Sequence, residues 1–157
     1  WSGLRYFLYE YELYLQDNAN MKVSWEDFNK RKKEDTIEHI YPQSPNDIYW
    51  KNRFGHLKPS EKRQYLNSLG NLLLLNRSKN SKLQNYDFDK KKCLLNKDGK
   101  EIGYYNGSYS EIEVSKYKEW TPDEIKKRGL LMLQFMEERW KFSFDNWNIS
   151  KEDILFP

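Results

Sequence analysis

The sequence predicts an α+β domain whose strands are few, short and central, with helices packed around them. Three observations carry this. Residues 3–16, GLRYFLYEYELYLQ, place Leu4, Phe7, Leu8, Tyr11 and Leu15 on one helical face. Two runs of strand length, 36–41 (β-prone) and 71–76 (NLLLLN), are bounded by turn residues. A long helix opens at Thr121-Pro122 with Glu124 as capping-box partner, and carries Ile125, Leu131, Phe135, Met136 and Trp140 toward the core.

The remaining elements follow in order. Residues 25–32 read as a short helix with Ser24 as its N-cap. The strand at 36–41 carries the pair Glu38-His39 and is stopped by Pro42. A polar insert with Pro45, Trp50, Phe54 and His56 follows. KPSEKRQYLNSLG reads as a short helix opened near Ser60 and ended by Gly70. After the strand at 71–76 comes a polar turn, then a helix over 81–95 with Leu83, Phe88, Leu94 and Leu95 on its buried side. Asp98-Gly99 and Asn106-Gly107 mark a loop or hairpin within 96–110. The last helix runs from 121 to 142, and its Gly129 has no local explanation.

Composition sets the bounds. A chain of 157 residues is most simply one domain, 1–157, with a catalytic core at about 34–95. It opens on Trp1 and reads as a fragment of a longer protein. Twelve Tyr, eight Phe and six Trp imply a largely aromatic core. Mean hydropathy of -1.04 and 32% charged residues describe a soluble chain. There is no apolar run of about 20 residues to span a bilayer and no signal-peptide pattern, so no membrane association and a cytoplasmic location are expected. The single cysteine, Cys93, excludes an internal disulfide, fits a reducing compartment and reads as a small buried apolar residue. Net charge is only +3, but residues 76–92 hold Arg77, Lys79, Lys82, Lys90, Lys91 and Lys92 against Asp87 and Asp89, and Lys30-Arg31-Lys32-Lys33 forms a second cluster. Such runs suit a polyanion, with solvated helix faces as the plain alternative.

A strand–strand–helix unit can direct Glu38, His39 and Asn80 into one cleft, and phosphodiester hydrolysis needs what they supply. Near pH 7 a neutral imidazole takes a proton from water. A carboxylate and an amide oxygen are hard ligands suited to Mg²⁺ or Mn²⁺. A second asparagine at a strand start, Asn71, can hold the base-bearing segment in register through its backbone.

At these residues the sequence resembles the HNH (ββα-metal) nucleases, above all the C-terminal nuclease domain of GmrSD-type modification-dependent restriction enzymes and related phage-defence proteins. The motifs are Glu38-His39-Ile40-Tyr41-Pro42-Gln43, Gly70-Asn71-Leu72 and Phe88-Asp89-Lys90-Lys91. The HNH domain of CRISPR RNA-guided nucleases is similar too, with two asparagines nine apart, as Asn71 and Asn80 are. Flanking features agree: an aromatic N-terminal helix, and Trp120-Thr121 with Ile125 and Arg128 at the last helix.

The resemblance implies a ββα-metal core with a small central β-hairpin. It makes His39 the general base, Asn71 the orienting asparagine, and Glu38 and Asn80 the ligands of one Mg²⁺ or Mn²⁺ ion. Lys90 would face the phosphate, and Arg77, Lys79, Lys82 and Lys91 would contact the DNA backbone. Many HNH sites have Asp where this chain has Glu38, so its ion would sit one methylene further from the strand. The expected function is a metal-dependent DNA endonuclease that nicks one strand in restriction or anti-phage defence. An N-terminal nucleotide-hydrolysing or DNA-sensing domain and a homodimer are the expected partners. A non-catalytic nucleic-acid-binding module and an RNA-directed endonuclease remain as alternatives. His56 has no paired ligand at helical spacing and reads as a loop residue.

Overall fold

The structure, a computed structural model, describes residues 2–16 and 25–157, so the expected N-cap at Ser24 lies outside the described residues. In chain order the elements are α1 (Ser2–Leu15), α2 (Trp25–Glu34), β1 (Asp35–His39), α3 (Ile48–Phe54), α4 (Pro59–Asn67), β2 (Leu72–Asn76), α5 (Arg77–Leu83), α6 (Phe88–Lys92), β3 (Leu94–Leu95), β4 (Glu101–Ile102), α7 (Tyr109–Ser115), α8 (Pro122–Trp140) and α9 (Lys151–Leu155). The fold is α+β: helices and two small antiparallel strand pairs, β1 with β2 and β3 with β4. Among the described residues no helix is long and apolar enough to cross a membrane.

The chain forms two compact units, and both are discontinuous. One comprises Trp1–Glu38 and Leu73–Lys118, the other His39–Leu72 and Glu119–Pro157.

In the first unit, α1 buries Phe7, Leu8, Tyr9 and Tyr11. It packs on α7, where the Glu12 carboxylate accepts hydrogen bonds from the Tyr109 and Ser110 amides at 2.7 and 2.8 Å. That supplies acceptors for N–H groups that the first turn of α7 leaves unpaired. Phe28 of α2 is buried, edge-on to Tyr6.

The helix expected over 81–95 is two short helices and a strand. Leu83 and Phe88 are buried as expected, but Gln84 adopts φ +40° and ends α5, and Asp87 starts α6 by accepting from the Lys90 amide. Leu94 pairs with Ile102 in the β3–β4 hairpin, and Leu95 is exposed. Gly99, at φ +71°, makes the hairpin turn that Asp98-Gly99 announced. Cys93 also departs from expectation: it terminates α6 and is exposed.

In the second unit, Tyr41 stacks on Phe54 at 3.9 Å between ring centroids and meets Trp50 edge-on at 5.7 Å. Trp50 and Phe54 lie on α3, which Asp47 caps; the polar insert of the sequence reading is therefore helical. Thr121, Pro122 and Glu124 open α8 as expected. Its buried face is Ile125, Arg128, Gly129, Met132, Leu133 and Phe135, whereas Leu131 and Trp140 are exposed. Leu131 follows Ile125 by six residues, about 240° around the helix, so the two cannot share a face.

Gly129 has a packing reason. Residues 69–71 form a tight helical turn against α8. A Cβ on Gly70 would lie 2.0 Å from the Ile125 carbonyl oxygen and 2.6 Å from the Gly129 nitrogen, and one on Gly129 would meet Leu155 at 2.9 Å.

Candidate active site

Strand alternation puts Thr36 and Glu38 on one face of β1 and His39 on the other. Glu38 is buried, with 5% of its surface exposed. Its Oε1 accepts two hydrogen bonds, from Lys91 Nζ at 2.6 Å and from the Tyr104 hydroxyl at 2.9 Å. Both donors are fully buried. Burial pushes the Lys91 ammonium below its ordinary value, while the charge and hydrogen bond of Glu38 pull it back up. Losing either partner of such a buried pair strands a charge in a poorly solvated place, at about 3–5 kcal/mol.

Asn80, on α5, donates from Nδ2 to Thr36 Oγ1 at 2.9 Å, and the Thr36 hydroxyl donates to the Leu75 carbonyl at 3.1 Å. The Asn80 side chain is thereby tied to the same face of β1 that carries Glu38. Among the described residues, both bonds to the Glu38 carboxylate fall on Oε1 and the bond from the Asn80 side chain uses Nδ2. Glu38 Oε2 and Asn80 Oδ1 are the oxygens left for a ligand. Two hard oxygens suit Mg²⁺ or Mn²⁺, since Mg²⁺ keeps several waters and commonly takes one or two carboxylates plus substrate phosphate. No group of three or more His, Cys, Asp or Glu that could hold an ion occurs among the described residues.

His39 ends β1 and is half-buried. The backbone that follows it is held by Asn71. The Ile40 amide donates to the Asn71 carbonyl at 3.0 Å, and the Tyr41 amide donates to Asn71 Oδ1 at 2.7 Å. Asn71 Nδ2 donates to the carbonyls of Tyr41 and Leu66, both at 3.0 Å, and Oδ1 also accepts from Trp120 Nε1 at 3.1 Å. Two donors and two acceptor positions are the whole capacity of a side-chain amide. Asn71 is fully buried and its amide is saturated, so it positions the chain after His39 and has no atom to offer a substrate. Arg128, also fully buried, donates from Nη1 to the carbonyls of Gly70 and Leu72 at 2.9 and 2.8 Å, pinning the backbone on both sides of Asn71.

Glu38 and Asn80 thus belong to the first unit, His39 and Asn71 to the second. The basic residues expected at DNA separate into two groups. Arg77 and Lys82 are exposed on α5, and Lys90 is half-exposed on α6 with an ion pair to Asp87 at 2.8 Å. Lys79 turns inward, to Glu111 at 2.6 Å and the Gly103 carbonyl at 3.1 Å. Lys91 is a correction to the expected phosphate contact: its fully buried ammonium is committed to Glu38. His56 lies exposed in the turn after α3.

Sequence reasoning overlooked Lys91, Tyr104, Trp120 and Arg128 as parts of this arrangement. The signal for Lys91 was present in the spacing Phe88-x-x-Lys91, which sets the lysine beside a core aromatic, but it was masked by lysines on either side. Tyr104 carried no local signal.

The family model for the C-terminal domain of GmrSD restriction endonucleases matches residues 2–135. No curated protein and no solved structure matches the chain. The matched span includes the Glu38-His39 strand, Gly70-Asn71, Asn80 and the Lys91 helix, so this chain belongs to the family of GmrSD restriction endonuclease C-terminal domains.

Proposed function

We propose that this domain is a metal-dependent DNA endonuclease acting in restriction or anti-phage defence, and that it cuts one strand at a time. The observation that carries the reading is the fully used amide of Asn71, which fixes the backbone directly after a half-buried histidine. His39 is the general base. It takes a proton from the water that attacks the phosphorus in line, leaving a 5′-phosphate and a 3′-hydroxyl. Glu38 and Asn80 supply protein oxygens to one Mg²⁺ or Mn²⁺. When bound, that ion offsets charge on the phosphate and the leaving oxygen.

Arg77 and Lys82 meet the DNA backbone, joined by Lys90 when it exchanges Asp87 for phosphate. A double-strand break then takes a homodimer or two successive nicks. A nucleotide-hydrolysing or DNA-sensing domain of the parent protein supplies target choice.

The test is nicking of supercoiled plasmid by purified protein with Mn²⁺. His39→Ala should lose about 10²- to 10⁴-fold in rate with unchanged circular dichroism, the range expected for removal of a general base. Wild-type cleavage by that variant would sink the mechanism, and preferential cutting of an RNA of the same sequence would sink the DNA assignment.

A further inference from the structure

We propose that Lys91 and Tyr104 are positioning residues for Glu38: they anchor one carboxylate oxygen, leaving Oε2 to meet the divalent ion. The inference rests on the reading of Glu38 as an ion-holding group.

Three features support it. Both donors converge on the same oxygen, Oε1, from separate elements, α6 and the helical turn at Tyr104–Asn106. All three side chains are buried, Lys91 and Tyr104 completely, so neither donor can serve as a DNA contact. The two donors are also held relative to each other. A Cβ on Gly103 would lie 2.1 Å from the Lys92 carbonyl oxygen, so the residue before Tyr104 abuts the residue after Lys91 backbone to backbone. Lys79, paired with Glu111, donates to the Gly103 carbonyl and braces the same point.

A carboxylate taken out of water needs a partner to keep its charge. Lys91 is that partner, so Glu38 is oriented before any ion arrives.

The experiment measures Mn²⁺ binding to DNA-free protein, by the electron paramagnetic resonance of free Mn²⁺, alongside melting with EDTA and with Mn²⁺. Lys91→Met should lower the melting temperature in EDTA, bind Mn²⁺ about tenfold more weakly and gain less stability from Mn²⁺ than wild type, as loss of a ligand-orienting group does. Lys91→Arg, which keeps the charge, should follow wild type. Tyr104→Phe, a milder change that removes one bond to Oε1, should lower kcat for plasmid nicking about tenfold at unchanged KM, within the range seen when ligand-orienting groups are removed. Wild-type Mn²⁺ affinity in Lys91→Met, or wild-type kcat in Tyr104→Phe, would overturn the proposal while leaving Glu38 as a ligand. If Glu38→Gln also binds Mn²⁺ like wild type, the reading of Glu38 itself fails.

Discussion

Asn71 and Tyr41 close a two-bond ring across thirty residues of chain: the Tyr41 amide donates to Asn71 Oδ1, and Asn71 Nδ2 donates back to the Tyr41 carbonyl. This side chain imitates a neighbouring strand, pairing with the backbone two residues after the proposed base. Asn71→Ala should strand two N–H groups, of Tyr41 and the Trp120 indole, and the carbonyls of Tyr41 and Leu66. The expected loss is several kcal/mol, at about 1–3 per unpaired group, read as a lower midpoint in urea. Asn71→Asp keeps the acceptor but sets a buried carboxylate against the Tyr41 and Leu66 carbonyls, and should cost at least as much.

The Gly70–Gly129 approach predicts unequal penalties. Alanine at 70 collides with backbone that belongs to α8 and cannot swing away, so Gly70→Ala should cost about 3 kcal/mol or more. Alanine at 129 presses on the end of the Leu155 side chain, touches the Gly70 nitrogen at an ordinary 3.4 Å, and gains up to about 1 kcal/mol of helix propensity. Gly129→Ala should therefore be much the milder change in thermal melting, and Gly129→Ala with Leu155→Ala should show no steric penalty at that contact.

Arg128→Met should be among the most destabilising changes in α8. It keeps the bulk but leaves the carbonyls of Gly70 and Leu72 without their donor, at about 1–3 kcal/mol each. Lysine at 128 can carry the charge, but its ammonium ends one bond short of the place from which Nη1 reaches both oxygens, and should not restore wild-type stability. Chemical denaturation of the two variants is the check.

Asp87 gives a pH signature. Burial pushes its carboxyl up, but hydrogen bonds from the Lys90 side chain and amide, with the charge of that lysine, outweigh it and leave the value below 3.8. A carboxylate lowered on folding stabilises above its unfolded value, and the contribution disappears as pH falls through the folded one. Asp87→Ala should cost about 1 kcal/mol at pH 7, the usual value of an N-cap. The difference from wild type should shrink below pH 3.8. Asp87→Asn should keep much of the cap and lack that acid-side change.

For DNA, Arg77→Ala and Lys82→Ala should each weaken binding uniformly across sequences. Each should also flatten the plot of log affinity against log salt by about one unit, as loss of a single phosphate contact does. Lys79→Ala should instead lower stability with little change in that slope, since its ammonium faces Glu111.

What was readable in the sequence was what short-range chemistry determines. Thr121, Pro122 and Glu124 located the start of α8 because a capping box is complete within four residues. Asp98-Gly99 located the hairpin turn for the same reason. Ser108 and Glu111 form an equally complete box at the start of α7, legible in the sequence for the same reason. Other misses were not legible locally. Nothing near Gln84 announces its positive φ, so α5 and α6 read as one helix. The Lys91–Glu38 pair joins residues 53 apart, and a lysine run hides which member turns inward. Asn71 could be picked out by spacing, but the partners that saturate it, Leu66 and Trp120, are placed by tertiary packing alone.

The discontinuity of both units bears on synthesis at the ribosome. The chain leaves the first unit after Glu38, re-enters it at Leu73 and leaves again after Lys118. Residues 39–72 therefore emerge well before 119–157, with which they form one unit. At about 5–20 residues per second, several seconds pass with Tyr41, Trp50 and Phe54 already extruded and Trp120 still untranslated. During that interval the Asn71 amide lacks its indole donor and Gly70 has no helix to lie against. The nascent chain therefore carries its Tyr41–Phe54 stack for that interval before the indole and helix of the same unit exist.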